Sequence, residues 1–277
     1  MLCVITALGL APDISSLARR ASVLSTGTEP LTNFMFDSQY SKGGHARAWA
    51  NWLFDGLMLG QYPHTQPAQP GPDADDAKAH LTRSLSAGID CFVCLQAELP
   101  PQQDDSSWPE EGMLLPDAES RARWPAPFMR YAPDADAIHG APLKYLHCPI
   151  ADLDVPRDGL GAGASLLMLL DSILRHYEDG GTGVYLHCWG GRGRAGLVGA
   201  CLLALFRPEL SADGVLEIVQ TAYDSRVGAS SMPGALKRSP QTDEQRQFVR
   251  KFVARVASDG ERTCSDRRDA CVMNLER

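Results

Sequence analysis

His187 and Cys188 are followed, after five intervening residues, by Arg194, and three of the intervening residues are glycines, Gly190, Gly191 and Gly193. Residue types at this spacing can build an anion site. The glycines let the backbone curl so that successive N–H groups converge on one point with no side chain in the way. A helix starting near Arg194 adds its positive end to the same point, and the guanidinium is a planar two-pronged clamp for two phosphoryl oxygens. A cysteine at the focus of those dipoles is favoured as its thiolate, the nucleophilic form. The expected chemistry is attack by Cys188 on a phosphoryl group gripped by Arg194 and cradled by Trp189, Gly190, Gly191, Arg192 and Gly193. His187 would orient the loop from behind. A structural cysteine followed by a tight turn explains the glycines but not the full His-Cys-x5-Arg spacing.

Expelling an alkoxide or phenoxide from phosphorus is helped by a proton, so a carboxylic acid should face the sulfur. The segment "HCPIADLDVP" offers two, Asp152 and Asp154, on a loop leaving the end of a strand parallel to the one that carries Cys188. Parallel strands bring both loops to the same rim of a sheet. Reach alone leaves both aspartates open.

The positioning elements are legible around these residues. "GIDCFVCL", "LKYLHCPI" and "TGVYLHC" have strand length and composition and are bounded by Gly or Pro. Between the last two, Leu166, Leu170, Ile173, Leu174 and Tyr177 recur at helical spacing up to the stop at Gly180-Gly181, so those strands are expected to pair in parallel through a right-handed crossover. "RAGLVGACLLALF" is apolar on nearly every side and should be a buried helix. Two more helices are expected, one capped by Ser211 and one presenting Phe248, Phe252 and Val256 on one face. The fold class is α/β, a central, mostly parallel sheet flanked by helices, over residues 45–257. Residues 1–44 read as an arm outside the domain and 258–277 as a tail. "QYPHTQPAQPGPDADD" and "PPQQDDSSWPEEGMLLPDAESRARWPAP" read as excursions too rich in Pro and acids to be core.

Composition narrows the partners. A net charge of -8 over 277 residues opposes a nucleic acid or an anionic membrane as main partner, and no run approaches the length of a membrane span. Eight irregularly spaced cysteines in a chain of this size suit a reducing compartment, hence a cytoplasmic or nuclear address. Cys91 and Cys94 form a C-x2-C pair with no second pair at zinc-ribbon spacing, so no metal site is expected. The first residues are rich in Ser, carry Arg19 and Arg20 and contain one acid, Asp13, which keeps an organellar transit peptide open. The chain is read as a monomer.

"HCWGGRGRAG" resembles the signature of cysteine-based protein-tyrosine and dual-specificity phosphatases, and "HCPIADLDVP", "ACLLALF" and "QTDEQ" are similar in particular to the kinase-associated phosphatases. The likeness spans residues 50 to 255. It implies that family's fold, a phosphocysteine intermediate, no cofactor, and a phosphorylated protein, such as a protein kinase, as substrate. The family's acid follows "PIA" directly, which selects Asp152 over Asp154. The resemblance also implies that Gln241 and Gln245 position the water of the second step, although ordinary capping explains a glutamine at a helix start equally well. Ala195 departs from the pattern, since relatives carry Ser or Thr there, and losing a hydroxyl donor to the cysteine sulfur implies slow turnover of the phosphoenzyme. Arg192 inside the loop suits substrates with more than one phosphate, so an inositol-phosphate or phosphoinositide phosphatase is the alternative enzyme, and a phospho-binding module without turnover is the alternative to an enzyme. Cys94 and Cys148 are candidates to trap an oxidised Cys188 as a disulfide.

Overall fold

The computed structural model describes residues 11–25, 50–63, 74–115, 117–123, 127–226, 229, 232 and 234–273. The three runs expected to be strands form one half of the sheet: Cys91–Gln96 (β3), Lys144–Ile150 (β4) and Val184–His187 (β5). Ala50–Phe54 (β1) and Leu57–Gly60 (β2) add a hairpin around Asp55-Gly56, with Gly56 at φ 86°. Asp-Gly between two apolar runs is the local signal for such a turn. The strand order is β1-β2-β5-β3-β4, parallel throughout except for the antiparallel edge strand β1. β4 and β5 are parallel as expected but do not pair with each other, because β3 stands between them and pairs with both. A strand–helix–strand pattern specifies direction and not adjacency.

Side chains alternate across the sheet with the period of two that a pleated strand imposes. Cys91, Val93 and Leu95 of β3, with Val184, Leu186 and Cys188 along β5, join the larger core, while Phe92, Cys94 and Tyr185 join a second, aromatic core on the other face. The larger core is covered by Ile14–Ser25 (α1), Ser165–Glu178 (α5), Arg194–Phe206 (α6), Ala212–Asp224 (α7) and Asp243–Met273 (α8). All thirteen residues of α6 are buried, as its all-round apolar sequence demands, and each fully buried leucine there contributes about 1.5–3 kcal/mol relative to exposure. The aromatic core is covered by Ala74–Ser86 (α2) and Ala132–His139 (α4), with the short Ala118–Arg123 (α3) following in the intervening loop.

Three boundary expectations change. Within the supposed N-terminal arm, α1 packs on α5, α6 and α8 with Ile14, Leu17 and Ala21 buried, and Arg20 Nε and Nη2 each lie 2.6 Å from a carboxylate oxygen of Glu178. An amphipathic helix with an ion-pair anchor is thus part of the domain, while residues 1–10 and 26–44 of that arm lie outside the described residues. The acidic excursion after Leu99 is not peripheral either, because Trp108 and Leu115 from it, and Phe128 directly after it, fill the aromatic core. At the other end α8 continues to Met273, past the expected start of the tail, with Phe252 and Val256 buried along its first half. Much of the excursion after Gly60, residues 64–73, lies outside the described residues.

Candidate active site

β5 ends at His187 and α6 begins at Arg194, so the loop between them is the strand-to-helix turn read from the sequence. Cys188 is 3% exposed at its start. The loop is held by its carbonyls. Arg226, buried after α7, donates from Nη1 to Gly190 O (3.2 Å) and from Nη2 to Gly191 O (2.6 Å) and Leu59 O (2.9 Å), while its Nε reaches Asn51 Oδ1 (2.5 Å). Trp189 O accepts from Tyr62 N (3.1 Å), and Arg192 O from Ser239 Oγ (2.9 Å). Among the described residues no amide of Gly190, Gly191, Arg192 or Gly193 donates a hydrogen bond. With carbonyls tied outside and N–H groups unspent, the loop is wired as an anion nest. Gly191 is obligatory: its φ is 67°, and a Cβ there would lie 2.2 Å from the carbonyl carbon of Gly60. Burial pushes the Arg226 guanidinium down to about 10, still far above neutrality, so it holds the loop as a cation.

Arg194 is 1% exposed and is gripped from two sides. Its Nη1 donates to Glu98 Oε2 (2.8 Å) and Ile150 O (3.0 Å), and its Nη2 to Glu98 Oε1 (3.0 Å). Its Nε, buried, has no hydrogen-bond partner among the described residues. Burial alone would lower the guanidinium's pKa, but Cys188, Glu98 and Asp152 together raise it. Asp152 Oδ1 stands 3.0 Å from Arg194 Nη2 with its side chain 53% exposed, so the carboxyl bridges the buried arginine and solvent. Asp154 points elsewhere: it accepts from Val155 N (2.7 Å) and Arg157 Nε (2.6 Å), and these bonds, the backbone one first, hold its carboxyl below the usual range.

The glutamines of "QTDEQ" both approach the loop. Gln241 Oε1 accepts from Arg192 Nε (3.2 Å), and a Cβ on Gly193 would lie 3.3 Å from Gln245 Oε1. Gln245 closes a capping box at the start of α8, its N–H donating to Thr242 Oγ1 (3.1 Å) and its Oε1 accepting from Thr242 N (3.2 Å). The Arg192 guanidinium folds back over the loop, its Nη1 3.2 Å from where a Cβ on Gly190 would stand.

Residues 138–249 match the family described as PTP-SAK, a Swiss Army Knife protein with a DSP-PTPase phosphatase domain. That stretch carries both the Cys188 loop and the Asp152 loop. No curated protein matches the chain. Among solved structures, the kinase-associated phosphatase with serine in place of its catalytic cysteine is 15% identical with a TM-score of 0.48, covering 83% of this chain and 98% of that one. Tk-PTP in the active form is 20% identical at TM-score 0.43, covering 74% and 97%, and PTPMT1 is 14% identical at 0.44, covering 77% and 99%.

Cys188, Arg194, Asp152, Gln241 and Gln245 all converge on one rim of the sheet, while Asp154 turns to its own loop. On the opposite face His187 Nε2 lies 2.7 Å from Tyr131 Oη, and burial, reinforced by His147, pushes the imidazole down to about 3, so it is neutral. Trp189 is half-buried, edge-on to Phe128 at 5.8 Å. Cys94 is level with His187 and shares its aromatic core, whereas Cys148 belongs to the core that holds Cys188, and burial raises the two thiols to about 12 and about 11. Cys91 and Cys94 face opposite sides of β3. Sequence reasoning missed Glu98, Tyr131, Arg226 and Ser239. Only Glu98 left a sign, an acid just past the end of a strand parallel to the Cys188 strand.

Proposed function

We propose that the chain is a cysteine-dependent phosphatase that hydrolyses phosphotyrosine, phosphoserine or phosphothreonine on proteins through a phosphocysteine intermediate. The observation that carries this reading is the convergence at Arg194: a buried guanidinium fixed by Glu98, beside the Cys188 loop, with an exposed carboxylic acid in contact. The transferred phosphoryl group spreads charge over three oxygens, and preorganised donors aimed at that charge lower the barrier without reorganising at the moment of reaction. The free amides of residues 190–193 and the unpaired Arg194 Nε are such donors. Cys188 Sγ attacks phosphorus, the P–O bond to the leaving group breaks, and Asp152 gives its proton to the departing oxygen. Water then attacks phosphorus as Asp152 takes its proton, the P–S bond breaks to restore the Cys188 thiolate, and phosphate leaves. Half-buried Trp189 and half-exposed Leu153 put apolar surface around the charged site, which suits a phosphorylated side chain with its flanking peptide.

Arg192 supports a second reading. Its Nε is held by Gln241 at the edge of the loop, a fixed cation where a second phosphate of an inositol phosphate would be welcome. The test is hydrolysis of an aryl phosphate, a phosphotyrosine peptide and an inositol polyphosphate by wild type and Cys188→Ser. The proposal expects the first two to turn over and Cys188→Ser to be inert. Activity surviving in Cys188→Ser would overturn the chemistry, and preference for the inositol phosphate would overturn the substrate.

A further inference from the structure

Gln245 has more bonds than a helix cap requires. It is a fully buried amide whose Oε1 accepts from Gln241 N (3.1 Å) and Thr242 N (3.2 Å), which completes the start of α8. Its Nε2 is then free to leave the helix, and it donates to Asp154 O (3.0 Å). Thr242 Oγ1 repeats the pattern, accepting from Gln245 N and donating to Leu153 O (3.3 Å). Two consecutive carbonyls of the acid loop are therefore tied to the first turn of α8, directly after Asp152.

The loop needs that tie. Leu153 has φ 61° and is 49% exposed, so a leucine sits in the left-handed region with little packing to hold it there. Apart from Arg194, which meets the Asp152 carboxyl itself and Ile150 O ahead of the loop, the remaining supports are local: Asp154 N donates to Ala151 O (3.2 Å), and the Asp154 carboxylate binds Val155 N and Arg157. The local bonds fix the shape of the turn, and the backbone after Asp152 is placed by the ties from Thr242 and Gln245. Gln245 also lies against Gly193 of the phosphate loop, so one side chain touches the phosphate loop, the acid loop and the helix start. An amide with oxygen and nitrogen both engaged is poorly placed to present a water to phosphorus.

We propose that Gln245, aided by Thr242, is a positioning residue that latches the acid loop to the phosphate loop and so sets where Asp152 stands. The inference rests on the reading of Asp152 as the acid. Gln245→Glu separates the latch from the cap, because the carboxylate keeps acceptors for the Gln241 and Thr242 amides but loses the donor and sets an oxygen against Asp154 O. Three measurements on the full chain decide it: kcat/KM over aryl phosphates of increasing leaving-group pKa, single-turnover decay of the phosphoenzyme, and hydrogen exchange of the amides of residues 152–155, each beside the melting temperature.

Proton donation matters more for poorer leaving groups, so Gln245→Glu should cut kcat/KM about tenfold or more for the poorest and little for the best, steepening the dependence toward that of Asp152→Asn. Exchange at 152–155 should quicken about tenfold while melting stays near wild type. A wild-type slope with wild-type exchange overturns the latch. So does slower phosphoenzyme decay at unchanged kcat/KM, which would give Gln245 to the water. If wild type and Asp152→Asn show the same slope, the acid assignment fails instead, and unchanged exchange in Gln245→Glu then overturns the latch on its own.

Discussion

The two loops that meet at Arg194 are held in opposite ways. The phosphate loop is fixed from the inside: Arg226 and Ser239, both buried, take its carbonyls and leave its amides unspent. The acid loop is exposed, carries a left-handed leucine, and is tied to its neighbour by two side chains at the start of α8. A group that must bind a dianion gains from rigidity and a low dielectric, whereas a group that must exchange a proton twice per turnover has to reach solvent. The difference in anchoring matches the tasks proposed for the two loops.

Removing the buried support should do the most damage. Arg226→Met leaves three carbonyls and Asn51 Oδ1 without their donor, and we expect it to cost about 3–5 kcal/mol in denaturant unfolding and to collapse activity, with Arg226→Lys recovering part of both. If Arg226→Met folds with wild-type stability, the loop is not held from behind.

On the acid loop the contrast is between two aspartates one residue apart. Asp152→Asn should lower kcat/KM for poor leaving groups by about a hundredfold or more, with stability nearly unchanged at an exposed site. Asp154→Asn should change the same rate by less than about threefold, because its carboxyl serves only its own turn. Equal losses would erase the distinction between them.

Far from both loops, Asp90 shows a support that depends on pH. It accepts from His176 Nε2 (2.7 Å), Thr182 N (2.8 Å) and Gly183 N (3.1 Å). Burial alone would raise its pKa, but those donors hold it well below the usual carboxylate range. A lowered folded-state pKa adds stability above the unfolded value, near pH 4, and that stability is lost as pH falls further through the folded value. Asp90→Asn should therefore cost about 1–3 kcal/mol at neutral pH and flatten the acid limb of a melting-temperature profile. A modest effect is expected at Ala195, fully buried at the start of α6. Ala195→Ser should speed decay of the phosphoenzyme severalfold by giving the departing sulfur a donor, read by single-turnover quench.

The fold and half of the site were legible because their signals are local. Strand composition, the apolar α6, the Cys188–Arg194 spacing and the "PIADLD" loop each declare themselves within about ten residues. What was lost is long-range. Nothing near Arg226 says that it reaches back to Asn51, Leu59 and the glycine loop, and nothing in "RYAPD" says that Tyr131 meets His187. The excursion after Leu99 misled because its prolines and acids mask Trp108 and Leu115, which serve the aromatic core. Gln245 was singled out from resemblance as a water holder, while its bonds tie it to a helix cap and a neighbouring loop.

The measurement that bears most directly on the account is mass spectrometry of protein quenched with acid during turnover of an aryl phosphate. We expect a phosphoryl adduct on the peptide containing Cys188, absent in Cys188→Ser and decaying faster in Ala195→Ser. Turnover of the same substrate with no adduct on that cysteine at any quench time would contradict it.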